Sequence, residues 1–481
     1  MSGSLGGKVS TDIALVTIMN VARKARSFFL IPLVVVAAGI SSYGTYIQVV
    51  TLVSVLSFIL TIGAPSGFVR FLQKSETDDA VLYYSLMFLV TPLGVLGGVF
   101  VYIFSDFLSV TLLNTSDRGE LFVAAATLIP IRVLFRMVDG YFRSHMRTKT
   151  ASVLLTLRMY LSFAAVGVSL YLLRVSILGA IVAMTIAEGA LTVLMIVVIT
   201  SSIGLGRPQL DTARQVLAFS LPMTVSDIAT DLSTRVDRLF VGSFLGADVV
   251  GVYDIAYRVA SVVMIYSQPI SRSLFPEFSR LVEDGKIDHC VTYTRRAARY
   301  YTILIVPSIF GLALVGDDVS GLVTGGQVSD QAATLIPLIA AGLAFWGVDH
   351  VYSNALFANK NTALMMSIRT TGALLNIGLN LILIPTLGVL GAAAATFGSY
   401  FVAAFLVFIY SNRVIPAGAN LTIVGKSLAA ATVMYATGWT ILSESLILSL
   451  VLLPIIYFLV LLLIGGISIT EAEAAGIRFL S

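Results

Sequence analysis

Cysteine, histidine and charge are all scarce in this chain. Cys290 is the only cysteine among 481 residues, so an internal disulfide and a thiolate metal cluster are both excluded. The three histidines, His145, His289 and His350, are scattered, which disfavours a metal site built from imidazoles. No Gly-rich loop runs into Lys-Ser/Thr ahead of a helix, so ATP hydrolysis by this chain is not expected. A Ser/His/Asp set is missing too, and the chain does not read as an enzyme. Charged residues make up only 12% of the sequence against 57% hydrophobic, and the mean hydropathy is +0.95. A soluble domain of that make-up would expose far too much apolar surface. The composition therefore predicts an all-α polytopic membrane protein.

The length suits about 14 transmembrane helices of roughly 20–25 residues with short loops. Apolar stretches fall near 12–38, 45–68, 81–104, 121–142, 150–172, 176–200, 214–241, 250–274, 299–315, 332–356, 362–384, 388–411, 422–441 and 445–467. The first contains Arg23, Lys24 and Arg26 and lacks a small-residue cleavage site, so it is not read as a signal peptide. The net charge of +4 matters less than its placement. With the N-terminus inside, the outer loops hold only Arg118 and Arg174, and the other loop lysines and arginines fall inside. That asymmetry predicts a multi-pass protein of the cell membrane with both termini cytoplasmic. The outer loops near 105–119 and 316–331 leave no room for an external domain. Segment 275–298 reads as a solvated amphipathic helix and turn, 201–213 as a joint between halves, and the tail after Gly466 as a short interfacial helix.

Internal repetition supplies the organisation. Tyr43-Gly44-Thr45-Tyr46 is echoed 207 residues later by Val250-Gly251-Val252-Tyr253, and Leu178-Gly179-Ala180 by Leu390-Gly391-Ala392. Two echoes at nearly equal offset predict two six-helix lobes, 1–205 and 206–415, in a parallel pseudo-repeat. Residues 416–481 would then add two further helices and a short tail.

Charges recur inside these apolar stretches. Asp227, Asp231, Arg235 and Arg238 share one helical face, as do Arg132, Arg136, Asp139 and Arg143. A charge at the bilayer centre costs at least about 2.5–3.5 kcal/mol, so such stripes must face protein or a water-filled cavity. Embedded cations also include Arg23, Lys24, Arg26, Arg158, Arg258, Arg272 and Arg369. They outnumber the embedded acids Asp139, Glu188, Asp227, Asp231, Asp237, Asp254 and Asp349. Guanidinium stays charged and grips phosphate oxygens bidentately, so the surplus predicts an anionic ligand: the phosphate or diphosphate of a polyprenyl lipid. The plain alternative is neutralisation by neighbouring acids, most evident for Arg258 beside Asp254. Asn376 and Asn380 form a polar strip that either packs helices or lines the cavity. Asp227, Asp231, Asp237 and Asp254 are candidates for coupling to Na+ or H+, since clustered carboxylates resist joint ionisation. Asp227, with no basic residue at i±3 or i±4, is the better of them. No other cofactor and no nucleic acid is expected.

Several blocks resemble a known family. Leu221-Pro222, Asp237-Arg238, Leu245-Gly246, Gly251-Val252-Tyr253 and Phe275-Pro276 are similar to the start of the second half of Wzx-type polysaccharide and lipid-linked oligosaccharide flippases. Asn376, Leu379-Asn380, Ile384-Pro385, Gly388 to Ala393, Ala395-Thr396 and Ser399-Tyr400 resemble their eleventh and twelfth spans, and Gly44-Thr45-Tyr46 their first junction. The resemblance implies the multidrug/oligosaccharidyl-lipid/polysaccharide exporter fold, two lobes flanking a cavity, and a lipid-linked glycan as substrate. Other polysaccharide-assembly proteins would be partners. Arg23, Arg26 and Arg70 are placed like functional cavity arginines of the related lipid II flippases. A cation-coupled drug antiporter of the same superfamily is the alternative, and it would want an acidic cavity. A membrane-embedded glycan-assembly enzyme or scaffold is a further alternative.

Overall fold

The computed structural model describes residues 2–74, 78–145, 147–267, 277–278, 280–441 and 446–468. Arg272, Phe275, Pro276 and the expected interfacial tail from 469 lie outside the described residues. So do the side chains of Arg70, Leu221 and Pro222. Every described regular element is helical. Nine helical stretches among the described residues have the length and apolarity to cross a membrane, from Ile18–Leu60 to Val389–Val414.

Helix boundaries depart from the expected spans where no polar turn separates two apolar runs. The first two spans form one helix, α1 (Ser2–Leu60), broken only at Gly39, whose φ of 81° and ψ of 169° leave the helical region. Neither Pro nor Asn/Asp follows Gly39, so helical hydrogen bonding resumes at once; glycine alone absorbs the positive φ. The expected span 45–68 actually ends at Leu60. Ile62 and Gly63 adopt positive φ there, and α2 (Ala64–Lys74) starts afresh. Next come α3 (Asp79–Ile103), α4 (Ser105–Leu113), α5 (Gly119–Ala126) and α6 (Leu128–Ser144). The expected outer loop 105–119 is thus largely the helix α4, and the fourth span is interrupted at Thr127. Then follow α7 (Thr148–Gly167), α8 (Ile177–Ile203), α9 (Leu210–Leu245) and α10 (Ala247–Ala260). The remaining helices are α11 (Ile287–Thr324), α12 (Ser329–Ala358), α13 (Thr362–Leu387), α14 (Val389–Val414), α15 (Leu421–Ile441) and α16 (Leu446–Leu463). α11 absorbs much of the segment expected as a solvated helix and turn.

The chain divides into two compact units. One comprises Met1–Asp254 with Val323–Gly325, the other Ile255–Leu322 with Gly326–Ser481. In the first unit, α1 beyond its kink is the axis, with Tyr43 through Val49 buried without a gap. Gln48 ties three helices together, donating to the carbonyls of Leu112 and Leu239, each at 3.2 Å. An aromatic knot fills the base of the core: Phe68, Tyr83 and Tyr141 meet edge to face with centroids 5.7–6.3 Å apart. Outward faces remain apolar, with Phe88, Leu96 and Phe100 of α3 and Val193, Leu194 and Val197 of α8 exposed. A patch of that extent suits hydrocarbon rather than water.

In the second unit α14 packs between α12 and α13. Phe345 stands edge-on to Phe397 and Phe401 at 5.6 and 5.0 Å. The pair α15–α16 joins α11 through a core of Ile303, Met434 and Tyr457, whose hydroxyl donates to the Ile303 carbonyl at 2.9 Å.

Candidate functional site

Glu188 is the one acidic residue of α8, and side chains from α6 and α7 converge on it. Arg132 of α6 grips it bidentately, Nε to Oε2 at 3.1 Å and Nη2 to Oε1 at 3.0 Å. The third Arg132 nitrogen donates to Ser54 Oγ of α1 at 3.0 Å. Arg158 of α7 approaches the same carboxylate at 3.4 Å, and Ser162 donates to Oε1 at 2.8 Å. Exposure falls to 9% for Arg132 and 2% for Glu188. Burial of such ions is tolerated because each Glu188 oxygen accepts two donors and every Arg132 nitrogen donates at least once. Arg158 also lies over the Phe135 ring at 4.5 Å.

One turn along α6 sits Arg136, with its guanidinium over the Phe58 ring at 4.5 Å. It is half-buried and makes no hydrogen bond or ion pair with a described residue. Arg132, Arg158 and Arg235 all act on its charge electrostatically, and Asp231 opposes them. Arg235 is held by Asp231 at 2.8 Å, the i, i+4 pair on α9. Across these groups Arg132, Arg136, Arg158 and Arg235 have two carboxylates within hydrogen-bond reach, Glu188 and Asp231. Arg143 and Asp139 close their own pair at 2.7 Å.

A second cluster joins α9 and α10 to α1. Arg238 donates to Asp254 at 2.6 Å and to the Thr234 carbonyl at 2.8 Å. Tyr43 donates to the other Asp254 oxygen at 2.6 Å, and Tyr253 donates to Asp237 at 2.9 Å. The two glycines of the sequence echo meet here. A Cβ on Gly44 would collide with the Ala247 carbonyl and stand 2.9 Å from Gly251 N, and one on Gly251 would stand 2.9 Å from the Ile40 carbonyl. The repeated Gly thus marks a helix crossing where backbones touch.

Other singled-out residues are dispersed. Arg23 hydrogen-bonds Thr156 at 2.8 Å, the Ser152 carbonyl and Asn20. Lys24 is exposed. Arg26 lines an apolar groove of about 470 Å³ with Phe29, Leu33, Tyr160 and Tyr171. Asp227 is exposed on α9, and Arg258 is half-buried near the end of α10. In the second unit Arg369 lies 3.9 Å from buried Asp349 and over the Phe357 ring at 5.5 Å. Asn376 donates to Ser399 of α14 at 3.3 Å, and Asn380 donates back to Asn376. Both asparagines are fully buried, which is the helix-packing arrangement. Sequence reasoning counted Glu188 as an acid and missed it as the hub. Its signal was there: a lone carboxylate in an otherwise apolar span must find a cation.

The whole chain matches the lipid II flippase MurJ, solved in an inward closed conformation, with a TM-score of 0.78, 18% identity and coverage of 97% of this chain and 100% of that one. That likeness shows the same all-α transporter fold. Two relatives come from Haloferax volcanii. The "Probable low-salt glycan biosynthesis flippase Agl15" is 27% identical over 195 residues, 40% of this chain and 41% of that protein. The "Probable flippase AglR" is 28% identical over 212 residues, 43% of this chain and 44% of that protein. The matched stretches thus span less than half the length of these curated relatives. A family model described as polysaccharide biosynthesis protein matches residues 39–334, well over half of the chain, and the chain belongs to that family.

Proposed function

We propose that the chain is a flippase rather than an enzyme. It moves a polyprenyl-phosphate- or diphosphate-linked sugar or oligosaccharide across the cell membrane for polysaccharide or glycoprotein glycan assembly. One observation carries this reading: Arg132 and Arg158 share Glu188 inside the first unit, Arg136 beside them stands on an aromatic ring, and Arg235, nearer the surface, pairs with Asp231. Such a surplus attracts a phosphate and repels an organic cation, which weighs against the antiporter alternative. A glycan-assembly enzyme or scaffold gains no specific support. The names of the Haloferax relatives and of the MurJ structure point the same way. The proposal includes about 14 spans in two lobes, 1–205 and 206–415, with two helices beyond and both termini cytoplasmic. Arg136 is the leading phosphate ligand. Arg23, Lys24, Arg26, Arg70, Arg132 and Arg235 of the first unit are the further proposed contacts, while Arg238, held by Asp254, and the packed Asn376 and Asn380 are not among them.

The test is flipping of a fluorescent polyprenyl-diphosphate sugar by purified protein in vesicles. Wild type should flip it. Arg136→Ala should slow it by about tenfold or more, the scale of one lost charge-assisted contact. Arg136→Lys should recover part of the rate because charge returns without the fork. Arg26→Ala and Arg235→Ala should also abolish flipping with abundance intact. Equal rates for wild type and Arg136→Ala would make Arg136 a packing residue.

Repeated one-way transfer needs a bias, and coupling to Na+ or H+ is part of the proposal. Asp227, exposed on the same helix face as Asp231 and with no basic residue one turn away along α9, is the leading carboxylate. Flipping should respond to an imposed gradient, and Asp227→Asn should remove that response. A wild type indifferent to both gradients ends the coupling idea.

A further inference from the structure

Arg118 and Arg174 are the two arginines expected in outer loops, where the positive-inside tendency disfavours them. The fold brings both to one cavity of about 740 Å³ in the first unit. Its floor is α1 around the Gly39 kink, with Ala37, Ala38 and Ser42 in the wall. Arg118 is braced by Thr45, donating to its hydroxyl at 2.8 Å. Arg174 is exposed and sits in left-handed backbone, φ 51°, where the chain turns from α7 toward α8. The first turns of α5 and α8 also border the cavity, and neither N-cap residue, Arg118 or Ser176, makes a side-chain capping bond. First-turn amides have no partner within their helix and attract anions. Glu120 contributes one negative charge to the wall, and Asp117 next to Arg118 accepts from Thr115. Among the described residues, neither arginine has a carboxylate in salt-bridge range.

We propose that this cavity is an exit-side oxyanion site. It receives either the phosphate of the lipid carrier or the carboxylate of an acidic sugar once that group has crossed. Two cations from loops far apart in sequence and two uncapped helix starts converge on one opening. The bend of α1 forms its floor, so the site lies against the helix that carries Arg26 on its other segment. This inference rests on the flippase reading for its sidedness.

The test uses the full chain in right-side-out vesicles. Cys290, the sole cysteine, is buried and is replaced (Cys290→Ser); exposed Ser176 on the cavity wall becomes the reporter (Ser176→Cys). Labelling by a membrane-impermeant maleimide is timed with a short-chain isoprenyl phosphate, with the matching isoprenol, or with glucuronate. At least one anion should slow labelling while the alcohol does not, and the protecting anion identifies the source. Arg174→Gln should raise the concentration needed by about tenfold, and Arg118→Gln should do the same. The site is overturned if neither anion protects, if the alcohol protects equally, or if both variants behave as the unsubstituted reporter. Labelling from the inner face alone also overturns it. Flipping is measured in the same vesicles. Flipping without protection removes this site and leaves the transport reading; protection without flipping does the reverse.

Discussion

Two charged clusters lie in the first unit, built from the same residue types and balanced differently. Around Asp254 donors and acceptors are matched: Arg238 and Tyr43 each donate to one carboxylate oxygen, Arg238 also donates to the Thr234 carbonyl, and Asp237 accepts from Tyr253. Around Glu188 two arginines share one carboxylate, and a third, Arg136, leans on Phe58. The first arrangement holds α10 against α1. The second holds four helices together, α1, α6, α7 and α8, and still keeps positive charge in reserve. Arginine inside a membrane therefore reads as structural or as ligand-binding by its count of acceptors, and depth alone does not decide.

The largest effect should come from Glu188→Gln. It strands two buried guanidiniums, at a cost of about 3–5 kcal/mol, read as a lowered unfolding midpoint in detergent. Asp254→Asn removes the carboxylate facing Arg238, which keeps the Thr234 carbonyl, and should cost about 3 kcal/mol at most. The contrast sharpens with ligand. At one fixed concentration, an isoprenyl phosphate should stabilise Glu188→Gln more than wild type or Asp254→Asn, by up to about 2.7 kcal/mol once it reaches a hundredfold excess over the Glu188→Gln Kd. Equal recovery of both variants would erase the distinction. Tyr43→Phe removes one hydrogen bond to a charge that Arg238 still holds, a loss of about 1.5 kcal/mol. Smallest should be the stability change in Arg136→Ala, within about 1 kcal/mol, since a stacked cation with no hydrogen bond contributes little to folding.

Much of this was legible from residue types. Scarce charge in long apolar runs dictates helices that bury their own backbone groups, and the described residues are helical throughout their regular elements. The stripe of α6 was readable as well, because i, i+4 spacing puts Arg132 and Arg136 on one face. Which acid each arginine meets was not. Glu188 lies 56 positions from Arg132 and 30 from Arg158, and helical periodicity says nothing about which helices become neighbours. Gly39 was missed for a different reason. A single glycine within an apolar run looks like any packing glycine, and the sequence around Gly44 carried the more obvious junction. In sequence, Arg118 and Arg174 are legible only as markers of sidedness, since their meeting in one cavity depends on how α5 and the end of α7 approach α1.

Gly44 and Gly251 occupy corresponding places in the sequence echo, and each stands where the other's helix would need room. The two contacts lie about one turn apart on the same crossing, Gly44 against Ala247 and Gly251 against Ile40. Once a methyl at one has pushed the helices apart, a methyl at the other enters space already opened, so their costs do not add. The crossing behaves as one variable written twice in the chain. Neither copy of the motif is free to gain a side chain on its own.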